Sequence, residues 1–194
     1  MDMQILTFRL RGTAPLLVQS NALVDPLNPF KKEIAKLTAK GRKKTDADHA
    51  AIYRLEFEAN MYFDPALGPC IPAINLDACM RDAARQVRLG AAIERGFMVI
   101  DDKVSIAYDG PRDIDGLYAD RRFVDIRPVV LNGKSTMRCR PRFADWTLVF
   151  EVAFEPSQLD REQVIDIAGR AGRYVGVGTF RPRHGRFAVE VVDG

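Results

Sequence analysis

Arginine is the residue type with the most evident chemistry in this chain, and its densest cluster lies near the end. Residues 170–187 read Arg-Ala-Gly-Arg-Tyr-Val-Gly-Val-Gly-Thr-Phe-Arg-Pro-Arg-His-Gly-Arg-Phe, with five arginines and no acidic residue. Glycines such as Gly176, Gly178 and Gly185 let the backbone come close to a ligand and turn amide donors toward an anion. Arg173, Arg181, Arg183 and Arg186 supply forked donors that suit phosphate, while Tyr174 and Phe180 can stack on bases. The same residues also suit a tight structural loop whose aromatic rings enter the core. A second cluster spans residues 121–142, with seven Lys/Arg and one Asp. Alternation places Thr136, Arg138, Arg140 and Arg142 on one face of a strand, where the arginines either meet a phosphate backbone or guard a sheet edge from pairing. Residues 31–44 hold seven more basic residues and one Glu. In that stretch Lys40, Arg42, Lys43 and Lys44 form a secondary basic patch, which is also what an ordinary solvated face would look like.

Other chemistries find little support. The two histidines, His49 and His184, have no cysteine or carboxylate at ligand spacing, so no metal site and no cofactor are expected. The pairs Asp101-Asp102 and Asp113/Asp115 sit in turn-like contexts and read as solvated acids. No nucleophile elbow or P-loop occurs, and the 172–178 glycines do not follow a strand and open a helix as a dinucleotide fingerprint must. His184, between Arg183 and Arg186, is the one catalytic candidate, because its imidazole could deprotonate a ribose hydroxyl. Its other reading is a loop histidine that stacks or hydrogen-bonds. Cys70, Cys79 and Cys139 are odd in number and match no knuckle spacing, so reduced, packed thiols are expected.

The chain has 194 residues, 47% of them hydrophobic, with 29 basic against 26 acidic side chains and a net charge of +3. Arginine outnumbers lysine 21 to 8. The three clusters carry +6, +6 and +5, which leaves −14 for the remainder. A nearly neutral protein thus holds basic segments on an acidic body, and such separation creates a local positive field. No apolar run is long enough for a membrane span, and Met1-Asp2-Met3-Gln4 lacks a basic lead into an apolar stretch, so a cytoplasmic protein with no membrane partner is expected.

The elements that must position these clusters are legible from period and punctuation. Residues 3–10 alternate as a strand, and Phe30, Ile34 and Leu37 recur at helical spacing up to Gly41. Thr45 or Asp46 caps a second helix with Ala50, Tyr53, Phe57 and Met61 on one face. The stretch Gly-Pro-Cys-Ile-Pro at residues 68–72 reads as irregular because of its prolines. Asn75 is the expected cap of a helix with Leu76, Cys79, Met80, Ala83 and Val87 buried. Strands are expected at 97–100, 104–108 and 123–131, the last turning at Asn132-Gly133 into a returning arm at 135–142. Trp146, Leu148, Phe150, Val152 and Phe154 form one apolar strand face. A helix at about 160–173 and a strand at 187–192 close the chain. One domain, residues 1–194, is expected, with a helical insertion at 22–61 and the basic hairpin at 121–142.

The ending, a strand and a helix before Gly-Val-Gly-Thr-Phe-Arg-Pro-Arg-His-Gly-Arg-Phe and a last strand, resembles the glycine-rich loop that closes the ferredoxin-like fold of the RAMP superfamily of CRISPR RNA-binding proteins. That resemblance covers about the last fifty residues. Over most of its length the chain also resembles uncharacterised phage and prophage proteins, through Ala14-Pro15-Leu16-Leu17, Asp25-Pro26-Leu27, the Gly-Pro-Cys-Ile-Pro-Ala at 68–73 and the ending. The first likeness implies an α+β, ferredoxin-like antiparallel sheet with helices on one face, and phosphate-facing roles for Gly176, Gly178, Arg181, Arg183 and Gly185. The second implies a bacterial, phage-encoded setting. No early catalytic histidine is matched, since His49 falls mid-helix, so binding is favoured over cleavage. The expected function is non-catalytic binding of single-stranded RNA or DNA through hairpin and loop, as a homo-oligomer along the strand or a subunit of a nucleoprotein complex. The alternatives are a RAMP-type endoribonuclease that processes CRISPR RNA, and a phage structural, assembly or defence-inhibiting protein.

Overall fold

The computed structural model describes residues 3–131 and 133–192, with Leu131 by its backbone alone. Met1, Asp2 and Asn132, on which the N-terminal and hairpin-turn readings partly rested, lie outside the described residues. In chain order the elements are β1 (Gln4–Gly12), β2 (Leu16–Leu17), α1 (Pro29–Ala39), α2 (Asp46–Asn60), β3 (Phe63–Asp64), β4 (Gly68–Pro72), α3 (Ala73–Arg85), α4 (Gly90–Gly96) and β5 (Phe97–Val99). They continue with β6 (Lys103–Ser105), α5 (Ile114–Ala119), β7 (Val124–Leu131), β8 (Lys134–Phe143), β9 (Thr147–Phe154), α6 (Arg161–Arg170), a π-turn (Ala171–Val175) and β10 (Phe187–Val192). The protein is α+β, with antiparallel pairing in every registered strand pair. It forms two compact units, one from residues up to 16 with 63–109 and those from 144 on, the other from 17–62 and 110–143.

The first unit is built on a four-stranded sheet of order β10-β1-β9-β5. Period-two alternation buries Leu6, Phe8 and Leu10 of β1 beside Leu148, Phe150, Val152 and Phe154 of β9. Phe8 and Phe150 meet edge to face at 6.3 Å. Ile5, Met98 and Val149 on the alternate positions are exposed. Helices α3 and α6 add the apolar stripes Leu76, Cys79, Met80, Ala83 and Val164, Ile167, Ala168. Helix α6 starts where Asp160 and Gln163 close a reciprocal capping box.

Three local expectations are corrected in this unit. Residues 68–72 form β4 despite their prolines, pairing with β3 through Pro69 and with β6 through Cys70, Ile71 and Pro72. The prolines are tolerated because they sit next to the ends of a five-residue strand, and Pro69 still offers its carbonyl to the Ile106 N–H at 2.9 Å. Asn75 lies inside α3 rather than capping it. Pro72 is the N-cap, and the Ala73 N–H is satisfied by Asp102 O at 2.8 Å. Helix α6 ends at Arg170, and a π-turn completes the expected helical run.

In the second unit β8 pairs with β7. Leu131 pairs with Lys134, and Gly133 before the returning strand has φ +75°. Thr45 and Asp48 make the capping box of α2. The helix buries Phe57 as expected but leaves Ala50 exposed, and it takes Glu56 and Asn60 into the interior. That departure from simple amphipathicity has a physical cause on β8. The Glu56 carboxylate accepts the Cys139 N–H at 2.8 Å, and the Asn60 side-chain amide donates to Cys139 O at 3.1 Å. Two polar side chains one helical turn apart therefore satisfy the outward backbone groups of a strand, as a neighbouring strand would. The turn-like context of Asp113 and Asp115 is instead the start of helix α5, where the Asp113 side chain accepts the Gly116 N–H at 2.7 Å.

Candidate nucleic-acid interface

The glycine-rich loop follows α6 in the first unit. The buried Gly176, at φ +78°, donates its N–H to Ala171 O at 2.8 Å. Its carbonyl accepts the Cys79 thiol at 3.1 Å, and burial pushes that thiol's pKa up to about 12, so it stays protonated. Gly185 is buried at φ +70°, and a Cβ there would lie 1.8 Å from Val177 O. Its N–H goes to Pro15 O and its carbonyl accepts Val177 N–H, both at 2.9 Å. Thr13 and Ala14 donate to Arg186 O at 2.8 and 3.3 Å. These bonds stitch the loop to the chain just after β1. The amides of Gly176 and Gly185 are spent on this framework. Gly178, at φ +84°, keeps an N–H with no acceptor among the described residues.

Fixing the backbone in this way leaves the side chains outside. Arg173, Tyr174, Phe180, Arg181, Arg183 and Arg186 are all exposed, Tyr174 at 55% and Phe180 at 36%. All of them but Arg183 border two openings. A groove of ≈ 520 Å³ is lined by Tyr174, Gly178, Phe180, Arg181 and, from α3, Asp82 and Gln86. A smaller cleft of ≈ 380 Å³ is lined by Arg173 and Arg186 with Thr13, Gly169 and Val189. Both volumes fall in the range of small-ligand pockets. Arg181 lies 3.7 Å from Asp82 and 3.4 Å from Gly176 O. Arg186 donates to Pro182 O at 2.7 Å. His184 is half-buried, its ring edge-on to Phe180 at 6.3 Å.

The hairpin arginines, in the second unit, are held differently. Arg138 donates to Glu56 at 2.8 Å, where the carboxylate is only 2% exposed. Arg140 is buried at 7% exposure with its Nε on Gln19 Oε1 at 2.9 Å, and desolvation lowers its pKa. Arg142 donates to Arg122 O at 3.2 Å. Burial raises the Glu56 pKa, opposed by the Cys139 N–H and then by Arg138. The alternating face seen in the sequence is present, and each of its guanidinium groups is engaged inside this unit. A polar pocket of ≈ 430 Å³ lies alongside, lined by Lys31, Glu56, Asn60, Arg138 and Arg140.

Within the secondary patch, Lys40 pairs with Asp48 and supports the α2 cap, while Arg42 and Lys43 stand exposed and Lys44 is half-exposed. Sequence reasoning passed over Glu56, Asp82 and Gln86. Glu56 and Asp82 lie on helices and Gln86 caps one, each far along the chain from the hairpin or loop arginines beside it. No group of three His, Cys, Asp or Glu suited to a metal occurs among the described residues, and no helix among them is long and apolar enough to cross a membrane.

No family model and no curated protein matches the chain. Among solved structures it is similar to a chain of the type III-B Cmr-beta complex, determined by cryo-electron microscopy with cognate target RNA bound. The TM-score is 0.50 at 13% sequence identity, over 99% of this chain and 61% of that one. This chain thus spans less than two thirds of its neighbour's length, and at such identity what the two share is the α+β fold.

Proposed function

We propose that this protein binds single-stranded nucleic acid without cleaving it, as a RAMP-like subunit of a nucleoprotein complex or as copies arrayed along a strand. The observation that carries this reading is the glycine-rich loop, where four exposed arginines and two exposed aromatic rings stand on a backbone held by its own hydrogen bonds. Forked cations beside stackable rings are what a phosphate backbone with splayed bases requires. The order β10-β1-β9-β5, with α3 between β1 and β5 and α6 between β9 and β10, supports a ferredoxin-like core. Residues 22–61 and 121–142 are then insertions in one domain. The fold likeness to a chain of an RNA-bound Cmr-beta complex favours RNA as the strand.

Arg173, Arg181, Arg183 and Arg186 are assigned to phosphates, Tyr174 and Phe180 to bases, and the Gly178 amide to a phosphate oxygen. Gly176 and Gly185 hold the loop's shape. In the second unit Arg42, Lys43 and Lys44, with the exposed parts of Lys40, Arg138 and Arg142, are secondary contacts, while Arg140 is buried.

Fluorescence anisotropy with a labelled single-stranded oligonucleotide tests the proposal. Four phosphate contacts on a single strand imply that affinity falls about fiftyfold between 50 and 200 mM salt. Binding that is absent, or indifferent to salt, overturns it.

A further inference from the structure

An acidic side chain has no obvious place on the wall of a groove that holds a polyanion, yet Asp82 lines the one formed by Tyr174, Phe180 and Arg181. Each of its two oxygens is ion-paired with an arginine but accepts no hydrogen bond from the described residues. Its cationic neighbours, Arg85 and Arg181, both stand at 3.7 Å, and no donor among the described residues hydrogen-bonds either carboxylate oxygen. One helical turn on, Gln86 ends α3 still in helical geometry, so its side chain shares the face of Asp82. The Gln86 amide also has no side-chain hydrogen bond among the described residues, and it lines the same groove.

Two carboxylate oxygens that keep their hydrogen-bond capacity match a ligand edge that presents two adjacent N–H donors. Among the nucleobases only guanine offers this, through N1–H and its N2 amino group, with the O6 acceptor beside them. Uracil presents one N–H between two carbonyls, while adenine and cytosine each place an acceptor beside their amino group. The Gln86 NH₂ can donate to O6 while Asp82 takes the two N–H groups. Tyr174 and Phe180 supply stacking surface to the same groove.

We propose that this groove is a base-reading site that selects guanine from the bound strand, with Asp82 and Gln86 as its specificity-determining residues. The inference rests on the nucleic-acid-binding reading above and goes beyond it, because backbone contacts alone give no base preference. It also accounts for the acid: Asp82 repels a strand whose base at this point cannot use it.

The test compares twelve-base uridine RNA strands carrying guanine, inosine or adenine at every third position, by anisotropy at fixed salt. Inosine keeps N1–H and O6 but lacks the N2 amino group. The guanine strand is expected to bind roughly tenfold tighter than the adenine strand and about threefold tighter than the inosine strand. Both ratios should collapse toward one in Asp82→Asn, and the guanine-to-adenine ratio should fall in Gln86→Ala. Asp82→Asn should bind plain oligouridylate at least as well as the parent, which shows that the variant is folded. Tight, salt-dependent binding with equal affinities, or a guanine preference that survives Asp82→Asn, overturns the guanine site and leaves strand binding intact. No binding to any strand overturns the proposed function itself.

Discussion

The glycine-rich loop and the basic hairpin carry nearly the same charge in sequence and use it in opposite ways. Residues 121–142 contain Asp125 and lie against Glu56, and their arginines reach carboxylates, a carbonyl and an amide inside their own unit. Residues 170–187 contain no acid, and although Arg181 and Arg186 each donate to a loop carbonyl, their side chains stay exposed alongside those of Arg173 and Arg183, whose guanidinium groups have no partner among the described residues. A tally of charge therefore measures the supply of arginine, whereas availability to a ligand depends on whether the fold has already given each group a partner. The hairpin illustrates the cost of the first arrangement. A buried carboxylate with one strong cationic partner stabilises only while both remain, and desolvation works against it.

The widest separation between the two regions is expected from Glu56→Ala. It removes the acceptor of the Cys139 N–H and of Arg138, and should destabilise the protein by about 2–3 kcal/mol in denaturant unfolding, since Arg138 is a third exposed and regains some hydration. The loop should otherwise keep its strand affinity at temperatures where the variant is folded, and a loss of less than about 0.5 kcal/mol in stability would mean that the clamp on β8 contributes little. Next in size, Arg183→Ala with Arg186→Ala should lower the slope of log affinity against log salt by about 1.4 while leaving unfolding within about 0.5 kcal/mol. An unchanged slope would remove these two arginines from the interface.

The smallest effect sharpens the comparison from the side of pH. The Lys40 hydrogen bond and the Thr45 N–H hold Asp48 down from 3.8 to about 2, so its contribution is present above pH 4 and is lost as pH falls through 2. Glu56 runs the other way. Its raised pKa means the folded state binds a proton more readily, so its ionisation disfavours folding as pH rises above 4.5. Melting temperatures followed by circular dichroism from pH 4 to 2 should fall less steeply in Asp48→Asn than in the parent. Parallel curves would show that the α2 cap carries no such linkage.

Much of the first unit could be read in advance because its signals are local. The alternation in β1 and β9, the capping box of α6 and the apolar stripe of α3 need only a few residues each, and the exposed arginines and rings of the loop were named from composition and spacing. What escaped depended on partners distant in sequence. Glu56 reaches Arg138 across 82 residues, so a charged position on a helix gave no sign that it would be buried. Asp82 and Gln86 look like the solvent face of an amphipathic helix until the loop, some ninety residues on, is brought beside them. β4 escaped because proline propensity argued against a strand that two neighbouring strands stabilise on both sides.

The carbonyl of Pro15, which accepts the Gly185 N–H, and that of Arg186, which accepts two more, bear on the thermodynamics of association. They order the loop when the protein folds, so a partner need not supply that entropy on arrival. What a strand must still immobilise is the arginine side chains, at about 0.5–1.5 kcal/mol each.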